Sequence, residues 1–363
     1  MKLRNFIICV NLSVLWANPA MAHVSEQGFV LLLPTGAYIS AGVAVVALTV
    51  VALFAVPDRV VRRMFSTRSL PSKDFGKLQI LTSLLSFCLM LFGIYIGVYG
   101  PRDPLSNLMP LGFWTIGWIA LVSLAAFLGN LWIWVNPWMG PYRLLGINEP
   151  VLRMPDSIGV WPATLILVAF AAFLLADPAP DDPARLAQLV AGYWAFTFAG
   201  MLLFGPKWCH SAELGHALFA AFASMATLRL REPAGIGGPG WQIAQSPPVP
   251  AAGIFALTML GVGSFDGLNE TFWWLGQIGV NPLEFPGRSA IIGVTLLGLI
   301  GAILGLMAVF VLVIWMGMAL AHQRVPLGRA CGWLALCVLP IAVVYHMAHY
   351  LTAFIVGIQY TIA

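Results

Sequence analysis

Apolar runs dominate this chain, at about 38–56, 78–98, 111–135, 158–176, 186–204, 251–263, 288–320 and 330–357. A helix rises 1.5 Å per residue, so roughly 20 apolar residues cross the ~30 Å hydrocarbon layer of a bilayer. The long runs meet that length. The run at 251–263 is short, and either borrows from 241–250 or the following Phe272-Trp273-Trp274-Leu275-Gly276, or forms a re-entrant hairpin. Asp, Glu, Lys and Arg make up 9% of the chain, against about 25% in a soluble domain. Such a chain cannot cover a water-facing surface, but lipid can solvate its apolar side chains directly. The sequence therefore predicts an all-α, polytopic transmembrane helix bundle of about eight spans, with the lipid bilayer as its main partner.

The net charge of +4 is small and dispersed, which argues against a nucleic-acid surface. Its meaning lies in which side of the membrane each charge occupies. Residues 1–22 read as a secretory signal peptide. Lys2 and Arg4 precede an apolar run from Phe6 to Trp16, Pro19 breaks it, and Ala20-Met21-Ala22 fits the small-x-small cleavage pattern. Cleavage there starts the mature chain at His23 and leaves 23–363 as one transmembrane helical domain. His23 then faces outward, and the loops sort accordingly. Arg59, Arg62, Arg63, Arg68, Lys73, Lys77, Arg143, Arg153, Lys207, Arg229, Arg231, Arg324 and Arg329 fall inside, while only Arg102, Arg185 and Arg288 fall outside. This predicts a bacterial cytoplasmic (inner) membrane protein with both mature termini in the periplasm. Residues 207–250 read as an inner-side interfacial helix and loop.

Ionisable groups inside apolar runs are costly and mark candidate sites. In Tyr345-His346-Met347-Ala348-His349-Tyr350 the two histidines are three apart and share a helix face. Asp266 and Glu270, four apart, share a face if that stretch is helical. The predicted topology puts His23, Asp266, Glu270, His346 and His349 near one surface. Imidazole nitrogens with a terminal amine suit copper, and added carboxylates suit zinc or iron as well. The competing readings are hydrogen-bonded histidines that hold helices together, and a proton or substrate path. On the inner side, the spacing of His210, Glu213 and His216 places three polar groups in one helical stripe. That stripe is either a metal-ligand set or the polar face of an amphipathic helix. The five cysteines form no Cys-x-x-Cys pair and read as small buried hydrophobes. Gly235-Ile236-Gly237-Gly238-Pro239-Gly240 lacks the lysine of a phosphate loop, and no nucleophile elbow is present.

The leader ending before His23, Val135-Asn136-Pro137-Trp138, Phe265-Asp266-Gly267-Leu268, and Pro340 to Gln359 together resemble a group of bacterial polytopic membrane proteins. Members are sometimes labelled fenitrothion hydrolase, which implies hydrolysis of an organophosphate ester. The resemblance then implies a metal-bound water held by His346, His349 and Asp266, with Asp266 or Glu270 as base. Three functions stand at this point: a periplasm-facing metal-handling protein, a metal-dependent membrane hydrolase, and a structural or assembly subunit with a membrane-protein partner.

Overall fold

A computed structural model describes residues 35–71, 75–147, 149–229, 234–245, 249–269, 271–281, 284 and 286–363. The expected signal segment, His23 and Glu270 lie outside the described residues. The elements in order are α1 (Thr35–Ala55), α2 (Asp58–Met64), β1 (Thr67–Ser69), α3 (Gly76–Tyr99), α4 (Leu108–Leu128), α5 (Trp132–Val135) and α6 (Met139–Leu144). Next come α7 (Trp161–Ala176), α8 (Pro183–Phe204), α9 (Pro206–Ala212), α10 (Leu214–Ala223), β2 (Leu228–Arg229), β3 (Gly235–Gly237) and α11 (Trp241–Gln245). The chain ends with α12 (Pro250–Asn269), α13 (Phe272–Gln277), α14 (Arg288–Leu320), α15 (Leu327–Ala335) and α16 (Leu339–Ile362).

Among the described residues, six helical stretches are long and apolar enough to cross a membrane: α3, α4, α8, α12, α14 and the run Leu327–Ile362 through α15 and α16. The pair α1 and α2, bent by 111°, makes a seventh if counted as one span. The chain is thus a polytopic membrane helix bundle. The expected count of about eight included 158–176. That run forms α7, only 16 residues long, or ~24 Å at 1.5 Å per residue. Conversely, the run at 251–263 grows into the 20-residue α12. Ser264, Asp266 and Asn269 make its end look like a loop in sequence, yet packing continues the helix through them.

Lipid contact is visible in what the helices leave uncovered. Val45, Leu48, Val51 and Leu53 on α1, Leu81, Leu85, Leu89 and Phe92 on α3, and Leu297, Leu304, Val313 and Trp315 on α14 are all exposed. Helix α12 is the centre instead: 56% of its apolar window is buried, against 11% for α3 and α14. One cluster joins Val122 and Ala125 of α4, Leu167 of α7, Leu218 and Phe222 of α10, Phe255 of α12 and Val343 of α16. Another joins Ala171 and Leu175 of α7, Val262 and Phe265 of α12, and Leu299 and Ile303 of α14.

Local chemistry sets the helix ends. Asp182 caps α8 through the Arg185 N–H at 2.8 Å, and Pro183 starts the helix with its fixed φ. Gly129 and Gly205, at φ of 94° and 69°, end α4 and α8 in backbone conformations that a side chain would strain. The two ends of the bundle differ in charge. One gathers Arg59, Arg62, Arg63, Arg68 and Arg229 around an antiparallel sheet of order β1-β3-β2. At that basic end Lys207 pairs with Asp156, and the ammonium holds the Asp156 carboxyl below the usual carboxylate range. At the opposite end Arg102 pairs with Asp182 at 3.2 Å and Arg185 with Asp177 at 2.6 Å.

Candidate functional site

Asp266 sits in the last turn of α12, three residues before that helix stops at Asn269. The stop is sunk within the bundle. Arg288, at the start of α14, donates to the Leu174 carbonyl near the end of α7 at 3.1 Å. Ten residues further along α14, Gly298 lies against the rings of Phe265 and Trp274. Asp266 therefore lies on the order of 15 Å along α14 from the level of Arg288. The negative end of the α12 dipole adds to the cost of a carboxylate there.

Helix α16 meets that cost. The Tyr350 hydroxyl donates to Asp266 Oδ2, and His349 Nε2 lies 3.2 Å from the same oxygen. Both side chains of the His349–Asp266 pair are largely buried, at 22% and 12% exposure. The Tyr345 ring stacks on His349 with centroids 5.4 Å apart, and Gly263 leaves room for the Tyr345 ring. His346 faces elsewhere. Its Nε2 lies 3.1 Å from the carbonyl of Trp118, and a carbonyl can only accept, so Nε2 carries the proton. Trp118 belongs to an unusual stretch, since Leu111–Leu121 of α4 is π-helical. Such turns are rare and recur at functional sites.

These groups surround a cavity of about 30 Å³, lined among others by Trp118, Phe222, Asp266, Tyr345, His346 and Tyr350. A water needs roughly 10–15 Å³ of such space and two or more polar partners. The Trp118 indole faces the Tyr350 ring there, centroids 6.0 Å apart, and among the described residues Asn269 Oδ1 and Trp274 Nε1, close to the end of α12, are buried without a hydrogen-bond partner. The site can thus hold water against a carboxylate, an imidazole and a phenol.

Of the five outer residues expected as ligands, Asp266 and His349 come together, and His346 stands beside them across the Tyr350 ring, 5.0 Å between centroids. His23 and Glu270 fall outside the described residues. No group of three His, Cys, Asp or Glu positioned to hold a metal ion occurs among the described residues. Spacing did not reveal Tyr350 and Trp118. Tyr350 carried a usable signal, because it lies four residues after His346 and so within reach of the same face. Trp118 carried none, being 228 residues from His346.

The second polar group differs from a stripe on one helix. The chain breaks at Glu213, whose φ and ψ of −76° and 123° are extended, between α9 and α10. The reason is capping. Glu213 accepts the N–H groups of Gly215 and His216 at 2.7 and 2.6 Å as the N-cap of α10. It also accepts the Trp132 indole N–H at 2.7 Å and the Tyr193 hydroxyl at 3.3 Å. A carboxylate offers about four lone-pair sites, so the fold already uses them. The break turns His210 and His216 toward each other, with Nδ1 and Nε2 3.0 Å apart. On an unbroken helix, residues six apart would flank Glu213 on the stripe but stand about 9 Å apart along the axis. Helix α10 packs into the bundle through Leu214, Ala217, Leu218, Phe219 and Phe222, and its far end reaches the Asp266 cavity.

Comparison with protein families, curated proteins and solved structures gives no match.

Proposed function

We propose that this membrane protein performs a proton-linked function, with Asp266 as the proton-accepting group and His349 and Tyr350 as its exchange partners. One observation carries the reading: a single carboxylate oxygen is shared by an imidazole and a phenol, deep in the helix bundle and beside a cavity with room for water. Buried ionisable groups in membrane proteins mark proton relays and ion paths. The pair also joins α12 to α16, so a change in its protonation alters how those helices are held. The basic end is read as the cytoplasmic side of a bacterial inner membrane, because its loops carry most of the arginines.

The test is proton movement into proteoliposomes loaded with a pH-sensitive dye. The wild-type chain conducts or exchanges protons above empty vesicles, and Asp266→Asn lowers that rate on the order of a hundredfold, the size of a positioned proton-transfer group. An infrared band from a protonated carboxyl that appears when wild type is acidified, and is missing in Asp266→Asn, tests the same assignment without transport. No proton movement and no such band would reject it. The metal reading needs donors beyond Asp266 and His349, and His23 or Glu270 are those the sequence offers. About one copper, zinc or iron per purified chain, lost in His349→Ala, would put metal handling in its place, and metal-dependent phosphotriester turnover would favour the hydrolase.

A further inference from the structure

The other end of the bundle carries a second feature, independent of the Asp266 site. Helix α2 turns by 111° from α1. Its seven residues, Asp58 to Met64, divide cleanly by face. At about 100° per residue, Arg62, Arg59 and Arg63 fall within one arc of roughly 100°, and Val60, Met64 and Val61 fall within an opposite arc of the same width. Asp58 lies at the edge of the basic arc, in the first turn where the helix dipole favours it. The apolar arc is uncovered: Val60, Val61 and Met64 are 47%, 38% and 59% exposed.

The orientation of α2 is held from its C-terminal end. Gly238 sits directly against the Met64 carbonyl, where a side chain would collide. Phe65 accepts a hydrogen bond from Gln245 Nε2 at 3.0 Å. Thr67 and Arg68 then pair with Gly237 and Ile236 of β3. Arg68 is exposed on the sheet, and Arg229 of β2 lies over Trp241, its guanidinium carbon 4.8 Å from the ring centroid. Helix α1 has no buried described side chain and stands toward lipid. The sheet thus fixes a short helix across the end of a span, with apolar residues on one face and three guanidiniums on the other.

We propose that α2 lies in the plane of the membrane surface and binds anionic phospholipid headgroups through Arg59, Arg62 and Arg63. Its apolar arc enters the acyl boundary while the guanidiniums take the phosphates, which they match in shape and charge. The lipid is favoured over a soluble partner because exposed apolar and basic arcs share one short helix at the end of α1, a helix with no buried described side chain. Each basic residue near an anionic surface is worth about fivefold in affinity.

The experiment is native mass spectrometry of the full chain in mild detergent, offered phosphatidylglycerol or phosphatidylcholine. Wild type retains phosphatidylglycerol preferentially, and added salt weakens the retention. R59Q/R62Q/R63Q loses that preference by roughly 100-fold, while R59K/R62K/R63K keeps most of it. The Lys variant separates loss of charge from loss of fold, and an unchanged thermal unfolding curve of the Gln variant does the same. Equal retention of both lipids by wild type, or undiminished preference in the Gln variant, would overturn the proposal. So would displacement of the lipid by equimolar inorganic phosphate, which would mark a soluble-anion site, or a co-purifying protein covering Val60 and Met64.

Discussion

Removing the Tyr350 hydroxyl leaves Asp266 facing His349 in a setting where water is scarce. Interhelical hydrogen bonds in membrane proteins are worth about 0.6–1.7 kcal/mol, because the unfolded chain also finds partners in the bilayer. Tyr350→Phe is therefore expected to lower unfolding free energy in detergent by about 1 kcal/mol. Asp266→Ala strands both the hydroxyl and the imidazole, and should cost more, about 2–3 kcal/mol. No loss in Tyr350→Phe would mean that Tyr350 does not support the carboxylate. Glu213 makes a contrasting case. Its oxygens take four donors, two of them from the first turn of α10. Glu213→Ala removes a cap and leaves buried donors unpaired, for a loss of about 3 kcal/mol. Glu213→Gln keeps one oxygen and should lose about half as much. Chemical unfolding monitored by Trp fluorescence compares the two.

At the scale of helices, close approach is set by glycines that have no room to grow. A Cβ at Gly97 of α3 would stand 2.7 Å from Ala187 Cβ and 2.8 Å from the Pro183 carbonyl of α8. Backbone cannot yield cheaply, so Gly97→Ala should destabilise by about 1–3 kcal/mol, the usual cost of overpacking. Gly301 on α14 meets nothing within 4 Å. Gly301→Ala should be neutral or stabilising by up to about 1 kcal/mol from helix propensity alone. Thermal unfolding of both variants separates packing from propensity. The π-helical stretch of α4 belongs to this scale too. It carries Trp118, whose carbonyl holds His346, and Thr115, which fills the space left by Gly357 of α16. Gly357→Val should push α4 and α16 apart and widen the Asp266 cavity. Faster proton exchange of the His346 ring by NMR would report it, and an unchanged rate would show that the contact is not needed.

The whole molecule presents an apolar girdle with unequal ends. Cysteines placed at Arg68 and Arg102 should react with a membrane-impermeant maleimide from opposite sides of a sealed vesicle, because one lies on the sheet of the basic end and the other pairs with Asp182 at the opposite end. In a background lacking native cysteines, labelling of both from one side would refute the two-ended arrangement. Composition was enough to reveal the membrane, since 9% charge leaves too few polar groups to face water. The lengths of α3, α8 and α14 follow closely from their apolar runs, because lipid thickness dictates span length. The runs could also mark His346 and His349 as out of place in an apolar setting, and Asp266 as a carboxyl just beyond one. They could not say that α12 continues helically past Ser264, that Glu213 breaks the chain to cap α10, or that His349 and Tyr350 converge on one oxygen of Asp266. Those facts depend on which helices lie side by side. Residues 84 and 228 positions apart are brought together by packing of α16 against α12 and α4, and no periodicity along the sequence encodes that packing.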